Sequence, residues 1–204
     1  MKHGILPLCL VAAMTACGHR PAAEASLLPD TLQLREGDVV LRRCTGLISR
    51  MVTMSDNGGQ FSHTGIVTDS AGTPMVVHAV PGEPDWEGDP DRVKMEPARS
   101  FLASDHAVAA AVLRPRNAKA GQLAARYAVR RYREGTLFDH DFDDMDTVRL
   151  YCTQLIVLAY EQAGVELVDT VREVFNLPGF HYRCVMPSQI LQSPHLQTIF
   201  MFNS

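Results

Sequence analysis

The sequence lacks several features that mark familiar classes of protein. It has no run of basic residues, and its formal net charge is −4 at pH 7, so nucleic acid is not expected as a partner. The apolar run from Ile5 to Met14 is too short to span a bilayer, and no other segment is long enough. No H-x-x-x-H or C-x-x-C spacing occurs, so the sequence predicts no zinc site. There is no internal repeat, which argues against a solenoid.

What the sequence does contain is enough apolar material for a packed core. Its 204 residues fit one domain, and 46% of them are hydrophobic, a common value for a globular protein. We therefore expect order throughout the chain except near its ends.

The N-terminus has the pattern of an export signal. Lys2 supplies a short positive region, the apolar run follows, and small residues lead to Cys17 in the sequence Met14-Thr15-Ala16-Cys17. This resembles a bacterial lipobox, in which the cysteine is lipidated and becomes the mature N-terminus. A conventional signal peptide, with Cys17 incidental, is the alternative.

The lipobox resemblance implies a division of the chain and a location. Residues 1–16 are then a signal peptide, residues 17–34 a lipidated cysteine and tether, and residues 35–204 the domain. Because Gly18 rather than Asp follows the cysteine, the resemblance implies a cell-envelope lipoprotein of the outer membrane that faces the periplasm. The membrane would then be a partner through the lipid on Cys17.

Three cysteines remain beyond the export signal: Cys44, Cys152 and Cys184. An odd number leaves at least one thiol unpaired unless it pairs between chains. A disulfide between Cys44 and Cys184 is conceivable, and the sequence does not decide it.

Short strands and a few helices without regular alternation predict an α+β fold. A turn at residues 69–72 between two β-rich runs predicts a hairpin. The helix from Asn117 to Arg133 has a capping residue before it and Gly135 after it. The remaining predicted elements are strands at 37–42, 64–68, 75–80, 108–113 and 196–202, and helices at 44–54, 151–163 and from Pro187, with a loop at 81–90.

Cys152 lies where the predicted 151–163 helix begins. Free backbone N–H groups and the helix dipole at that position lower the pKa of a thiol. The same N–H groups can hold the oxyanion of a tetrahedral intermediate. On position alone, a buried structural cysteine is the slightly favoured interpretation, since free cysteines are commonly buried.

Two histidines strengthen the catalytic interpretation. His63 stands at the start of one hairpin strand, in Phe-Ser-His-Thr-Gly-Ile-Val, and His78 lies in the partner strand. If the turn forms as predicted, both imidazoles can share one face of the hairpin. A base close to a nucleophile, oriented by a third polar group, is the general logic of a catalytic triad.

The order of these motifs resembles a known family, the YiiX/YebB-like circularly permuted NlpC-type papain-like cysteine hydrolases. In that group the histidine strand precedes the cysteine helix, and the resemblance covers residues 35–200. The motifs that carry it are Gly37-Asp38, Ser62-His63-x-Gly65-Ile66-Val67, His78-Ala79, Phe138-Asp139 and Tyr151-Cys152-Thr153-Gln154-Leu155.

The resemblance implies a fold and a set of site residues. The fold is an antiparallel sheet packed against helices, with the nucleophile at a helix N-terminus. Cys152 matches the nucleophile, His63 the general base and His78 the third polar position, while Tyr151 and Asp139 match positions that bind substrate or order a loop. Thr153 and Gln154 depart from the Ser-Glu pair of relatives, which puts a contact beside the helix in question.

The function implied is a cell-envelope thiol hydrolase that cleaves an amide bond through an acyl-enzyme, without a cofactor or metal. Its substrate would be a peptidoglycan stem peptide or a small lipid or amino-acid amide. The alternatives are an acyltransferase or thioesterase on lipids, and a catalytically dead domain that binds the envelope. An apolar cleft would favour lipids, and a polar groove would favour peptides. The sequence does not indicate an oligomeric state.

Two cation sites are weighed and set aside. The acidic run at residues 139–146 places Asp at three EF-hand positions, but Asp144 stands where Gly is needed and Leu150 where Glu is needed. Zinc held by His63, His78 and His140 lacks supporting spacing. The 139–146 run is thus predicted to be a solvated acidic loop.

Overall fold

The computed structural model describes residues 25–56, 59–169, 173–177 and 180–203 of the chain. Among these residues, no helix combines the length and apolarity that crossing a membrane requires. In chain order the elements are β1 (Val39–Cys44), α1 (Leu47–Ser55), β2 (His63–Ser70), β3 (Thr73–Val80), β4 (Arg92–Pro97), α2 (Ala98–Phe101), β5 (Ala107–Pro115), α3 (Ala118–Arg133), α4 (Cys152–Glu161), β6 (Glu173–Leu177), β7 (Phe180–Cys184), α5 (Pro187–Leu191) and β8 (Leu196–Asn203).

Six strands form one antiparallel sheet in the order β4-β3-β2-β1-β5-β8, and β6 and β7 pair separately. The α+β prediction is therefore confirmed. The central strand β1 is buried along Val39–Leu41, as expected for a strand paired on both sides.

The predicted hairpin is formed by β2 and β3. Ser70 pairs with Thr73, so the loop is the two residues Ala71 and Gly72. Both have positive φ angles, 52° and 84°, which is the geometry of a type I′ turn and favours glycine at the second position. The Asp69 carboxylate accepts the N–H of Gly72 and stabilises the turn.

Different elements pack against the two faces of the sheet. On one face α3 and α4 pack against apolar side chains of the central strands, including Leu41, Ile66 and Val77. On the other face Phe101 and Leu102 pack against the alternate residues Val40 and Val67. Because successive side chains in a strand point to opposite faces, His63 and His78 belong to this second face.

Part of the segment that the sequence assigns to the tether packs on this second face. The N–H of Leu27 donates to the carbonyl of Leu102 at 2.8 Å, and the side chain of Leu28 is buried. Leu32 and Leu34 contact the same cluster. Residues 25–34 thus extend the core, because their leucines cover apolar surface that α2 leaves open.

Close backbone contacts hold the two long helices against the start of β1. A Cβ on Gly37 would lie 2.4 Å from the backbone of Gly121 in α3, and Gly37 has a φ angle of +91°, so this position requires glycine. The hydroxyl of Tyr160, in α4, donates to the Gly37 carbonyl at 2.6 Å. The side chain of Asn117 accepts the N–H of Ala120 and caps α3 as predicted. These contacts fix where α4 lies on the sheet.

Candidate active site

Cys152 is the first residue of α4, with Tyr151 as the N-cap. The side-chain oxygen of Gln154 accepts the N–H of Tyr151 at 3.3 Å, which satisfies one free donor of the helix end. The amide group of Gln154 also donates to the carbonyls of Asp143 and Asp146, at 3.2 and 2.6 Å. Thr153 donates to the carbonyl of Val185 at 2.7 Å. The two residues that depart from the family pattern therefore make firm contacts beside the helix.

The sulfur of Cys152 faces three backbone N–H groups. They belong to Cys152 itself, Thr153 and Thr64. The first two are free because they open a helix. The third is available because β2 pairs with β3 only from Ile66 onward, which leaves Thr64 outside that ladder. The Thr64 contact brings Cys152 to the residue next to His63.

The acidity of the thiol differs from the expectation. Burial raises the pKa of Cys152 to about 11, although the three N–H groups and the charge of Arg42 act to lower it. The expected low thiol pKa is thus wrong, because loss of solvent around the thiolate outweighs the effect of the helix N-terminus. At neutral pH the resting sulfur is a thiol.

His63 and His78 lie together as the hairpin pattern predicts. The Nε2 of His63 is 2.9 Å from the Nδ1 of His78, and both rings are buried. The rings pack against Phe101, with centroid distances of 5.7 and 5.1 Å. Burial and the neighbouring charge of Arg42 lower the pKa of both imidazoles, most strongly that of His63. Both rings are therefore neutral at pH 7.

Glu96 extends this pair into a chain of three groups. Its Oε1 is 3.0 Å from the Nε2 of His78. Burial raises the pKa of the carboxyl, but the contact with His78 and the charge of Arg42 outweigh this, and the net pKa of Glu96 is lowered. Glu96 is thus an ionised acceptor. We missed it in the sequence because β4, which carries it, was not predicted.

The ionised carboxylate determines which nitrogen of each histidine carries the proton. Since Glu96 only accepts, the Nε2 of His78 must be the protonated nitrogen, and its Nδ1 is an acceptor. The Nε2 of His63 must then donate to that acceptor. The Nδ1 of His63 is left with a free lone pair, as a base requires.

A buried arginine lies beside this chain. The side chain of Arg42 is 1% exposed and its guanidinium packs 4.4 Å from the ring centroid of Phe101. It donates to Glu83 at 2.5 Å and to the carbonyl of Phe101 at 3.1 Å, and it lies 3.8 Å from Glu96. Arg42 therefore balances the two carboxylates and opposes protonation of the histidines. No sequence motif indicated a role for Arg42.

The same carboxylates bear on whether a metal could be held here. His78, Glu83 and Glu96 present ligand atoms within 4.8 Å of one another. However, the guanidinium of Arg42 already occupies the position from which a cation would neutralise both carboxylates. A divalent ion would have to lie against this buried positive charge, so these residues do not fit a metal site.

Gly65 explains how the two histidine strands come so close. A Cβ on Gly65 would lie 2.4 Å from a methyl carbon of Val76, 3.1 Å from the carbonyl oxygen of Val77 and 3.2 Å from the Cβ of His78. Glycine is thus needed for the approach of His78 to His63.

The other predicted site residues lie around Cys152. Asp139 is fully buried and accepts the N–H groups of Asp141 and Asp143, at 3.0 and 2.7 Å, which is the geometry of a residue that orders a loop. The hydroxyl of Tyr151 accepts the N–H of Val185 at 3.4 Å. His140, weighed for zinc, instead pairs with Asp91 at 3.1 Å.

A pocket of about 480 Å³ opens at Cys152. Most of the side chains around it are apolar. Its walls are formed by α1, by the segment before α4, and by the chain from β7 into α5, and the lining is Ile48, Met51, Val52, Ser62, Pro81, Gly82, Asp91, Phe138, His140, Phe142, Tyr151, Cys152, Thr153, Cys184, Val185, Met186 and Pro187.

No disulfide joins Cys44, Cys152 and Cys184 in the part of the chain that the structure describes. The conceivable disulfide between Cys44 and Cys184 is therefore not formed in this structure. Cys17, the predicted lipidation site, and the predicted signal peptide lie outside the described residues and stay predictions.

The comparisons with known proteins agree with this architecture. Residues 33–200 match the model of a family described as permuted papain-like amidase enzyme, YaeF/YiiX, C92 family. The crystal structure of the metalloprotein yiiX from Escherichia coli O157:H7 superposes with a TM-score of 0.68 at 19% identity, covering 85% of this chain and 100% of that chain. At that identity the likeness shows the fold alone. No curated protein matches the sequence.

The family match spans most of the chain and includes both the histidine strand β2 and the helix α4 that begins at Cys152. The chain belongs to the permuted papain-like amidase family, YaeF/YiiX, C92.

Proposed function

We propose that the protein is a thiol amidase in which Cys152 is the nucleophile and His63 the general base. The observation that carries this proposal is the position of the Cys152 sulfur. It lies among three backbone N–H groups, one of them on the residue that follows His63, at the wall of a pocket. His63 in turn ends the series of close contacts that runs from Glu96 through His78.

The first half of the reaction forms an acyl-enzyme. Because thiol and imidazole are both neutral at rest, the sulfur attacks the amide carbonyl as its proton passes to the Nδ1 of His63. The carbonyl oxygen becomes an oxyanion, which the N–H groups of Cys152, Thr153 and Thr64 stabilise. His63 then gives the proton to the amide nitrogen, the C–N bond breaks and the amine leaves.

The second half returns the enzyme to its resting state. His63 takes a proton from a water molecule, and the resulting hydroxide attacks the thioester carbon. The C–S bond breaks, the acid is released, and the sulfur recovers its proton. His78 and Glu96 support the transient imidazolium of His63, which Arg42 would otherwise disfavour. The carboxylate thus supplies the stabilisation that a neutral third histidine lacks.

A transferase is the second candidate, and the apolar pocket is the observation that favours it. A pocket that excludes water slows hydrolysis of the thioester and lets an amine or hydroxyl acceptor compete. Adding hydroxylamine separates the two functions. A hydrolase forms mainly free acid, whereas a transferase forms mainly hydroxamate.

The location is part of the proposal. With Cys17 lipidated, the domain would work at the envelope membrane, on its periplasmic side. Metabolic labelling with a palmitate analogue tests this directly. Loss of label in Cys17→Ala is the expected result, and unchanged label would mean that Cys17 is not the lipid attachment site.

Release of nitroaniline from acyl p-nitroanilides tests the proposed chemistry. We expect Cys152→Ala and His63→Ala each to reduce kcat/KM by roughly a thousandfold or more, since nucleophile and base act as one unit. Cys44→Ala is the matched control, because this thiol is partly exposed and does not line the pocket. Activity that survives in Cys152→Ala would refute the assignment. The absence of turnover in every variant and in the wild type would indicate a binding domain.

A further inference from the structure

The helix α1 exposes its apolar side chains to solvent. Leu47 is 75% exposed and Met54 is 79% exposed. Ile48 and Met51 are also exposed, whereas the one buried residue of this helix is the polar Ser49. A surface helix ordinarily buries its apolar residues and exposes its polar ones. The polarity of α1 is therefore the reverse of the ordinary pattern, and an apolar patch of this kind marks an interaction surface.

The exposed apolar residues of α1 lie on one side of the helix. Leu47, Met51 and Met54 follow the spacing i, i+4, i+7, which places them on one face. Ile48 lies beside Leu47 and widens that face. The result is a continuous apolar strip about 10 Å long, because each helical residue rises about 1.5 Å.

Polar contacts attach α1 to the rest of the fold. The hydroxyl of Ser49 lies 2.6 Å from the carbonyl oxygen of Cys44 and 2.7 Å from the hydroxyl of Ser62. Just after the helix, the Asp56 carboxylate accepts the N–H of Ser188 at 3.0 Å. These contacts hold the inner side and the end of α1. Its outer apolar face is therefore left available for a partner.

The charge of α1 narrows the choice of partner. The helix contains the exposed Arg50 and no acidic residue, and the nearby Asp56 is buried. Apolar side chains with a basic residue beside them fit the surface of a bilayer, where acyl chains lie below anionic headgroups.

The N-terminal segment enters the described structure at the same end of the sheet as α1. The carbonyl of Ala25 accepts the N–H of Ser104 at 2.8 Å. Ser104 lies just before β5, whose first residue Ala107 pairs with Cys44. Because α1 begins three residues after Cys44, Ala25 and α1 share this end. Cys17 precedes Ala25 by eight residues, a reach of at most about 30 Å.

The last residues of β8 add apolar surface at the same end. Asn203 pairs with Ala109, two residues after the start of β5. Met201 and Phe202, which precede Asn203, are both exposed. The end of the sheet that the N-terminal segment reaches is therefore the end at which exposed apolar side chains of α1 and β8 occur.

We propose that α1 is a membrane-docking surface. Its apolar strip enters the interface of a phospholipid bilayer, and Arg50 lies among the headgroup phosphates. A helix this short binds weakly alone, but a lipid on Cys17 would hold it at a high effective concentration beside the membrane. For that anchor the inference rests on the proposed envelope location. It is independent of the chemistry proposed for Cys152.

Photolabelling from within the bilayer tests this docking. The full chain is bound to vesicles of phosphatidylethanolamine and phosphatidylglycerol that carry a trace of a phospholipid with a diazirine at the end of an acyl chain. After illumination, peptide mapping locates the label. We expect label on the peptides that contain Leu47, Ile48, Met51 and Met54.

A double variant and a matched control identify the side chains responsible. Leu47→Ser with Met54→Ser should reduce the label on α1 at least about tenfold, since both side chains lose apolar transfer free energy. Leu123→Ser is the control, because Leu123 is exposed on α3, close to Gly121, which contacts Gly37 at the opposite end of the sheet. It should leave the label on α1 unchanged. Melting temperatures close to wild type would show that the variants are folded.

The outcomes separate docking from the anchor and from catalysis. Label confined to the N-terminal peptide would overturn docking and leave the anchor intact. Label on α1 that persists in Cys17→Ala would support docking and count against the anchor. Cleavage of acetyl p-nitroanilide should be unchanged in the double variant, since neither Leu47 nor Met54 lines the pocket. A dimer in sedimentation that the double variant abolishes, without lipid label on α1, would assign the face to a second copy and overturn the proposal.

Discussion

Replacing Glu96 by glutamine removes the charge at the far end of the histidine chain and little else. The amide oxygen of glutamine can still accept the N–H of His78, so both histidines keep their protonation pattern. What is lost is the negative charge 3.0 Å from the Nε2 of His78. Arg42 then acts on His63 with less opposition, because Glu83, its other carboxylate partner, is 44% exposed.

The expected effect follows from the strength of a charge-assisted hydrogen bond in a buried site. Such a bond contributes about 1.5–3 kcal/mol, and in the proposed mechanism it stabilises mainly the imidazolium that forms during acylation. Its loss therefore slows acylation roughly 10- to 100-fold. KM should change little, since Glu96 does not line the pocket.

Stopped-flow acylation by an acyl p-nitroanilide measures this rate across pH. The acid limb reports the pKa of His63 in the free enzyme, which already lies below its ordinary value. Without the carboxylate charge that pKa falls further, so the limb should move to lower pH in Glu96→Gln. If Glu96 had a purely structural role, Glu96→Gln would leave the acid limb of the pH profile at its wild-type position.

Glu83→Gln is the control, because Glu83 pairs with Arg42 in the same cluster and is not hydrogen-bonded to His78. We expect it to keep the acylation rate within about threefold of wild type, as for a half-exposed ion pair. A wild-type acylation rate and pH profile in Glu96→Gln, together with their loss in His78→Ala, would mean that the functional series of residues ends at His78. The proposed role of Glu96 would then be wrong.

Three further predictions concern stability. Gly65→Ala should cost about 1–3 kcal/mol of unfolding free energy through overpacking, whereas Gly46→Ala, with no atom near the new methyl group, should change little; urea unfolding distinguishes the two. Asp38 is fully buried and bonds Arg114 through both oxygens at 2.8–2.9 Å, so Asp38→Asn should lower the unfolding free energy by about 3 kcal/mol. Asp30, the exposed partner of Arg99, provides the control, and Asp30→Asn should lower the unfolding free energy by less than about 1 kcal/mol. Equal losses of unfolding free energy in Asp38→Asn and Asp30→Asn would contradict the argument from burial. Because the folded-state pKa of His63 is lowered, its contribution to stability is complete above about pH 6.5 and is lost as pH falls below that value. His63→Gln should therefore show a smaller drop in Tm between about pH 7 and pH 5 than the wild type, and an equal drop would contradict the burial of a neutral imidazole.

Local patterns predicted much of the fold. The helix from 118 to 133 begins and ends as its cap and glycine indicate, and the hairpin turn at residues 71–72 has the expected geometry. Both signals are short-range, because a cap or a two-residue turn satisfies its backbone groups within a few residues. The α+β architecture follows from the same elements.

Elements stabilised by distant contacts were missed. The strand Arg92–Pro97 alternates charged and apolar residues, Arg-Val-Lys-Met-Glu, which is a period-two signal. The charged side chains of this segment obscured the strand signal. Lys94 is nevertheless buried, because the carboxylates of Asp85 and Asp89 balance its charge. The strands at 173–177 and 180–184 were not predicted either. Without the Arg92–Pro97 strand, the sequence could not reveal Glu96.

The electrostatics of the site were the least predictable part. The histidine pair follows from the hairpin register, but the degree of burial depends on Phe101 and on how α4 lies against the sheet. Burial reverses the expected direction of the thiol pKa. Desolvation is a property of the whole fold, and a motif does not encode it.

Rapid-quench intact-mass spectrometry with an acyl p-nitrophenyl ester, followed by peptide mapping, tests directly whether Cys152 is the nucleophile. We expect one acyl group per chain, on Cys152, which appears within the first turnover and decays as water hydrolyses the thioester. His63→Ala should form this adduct slowly, and Cys152→Ala should form none. An adduct on Cys44 or Cys184, or steady turnover by Cys152→Ala, would refute the assignment of Cys152 as the nucleophile.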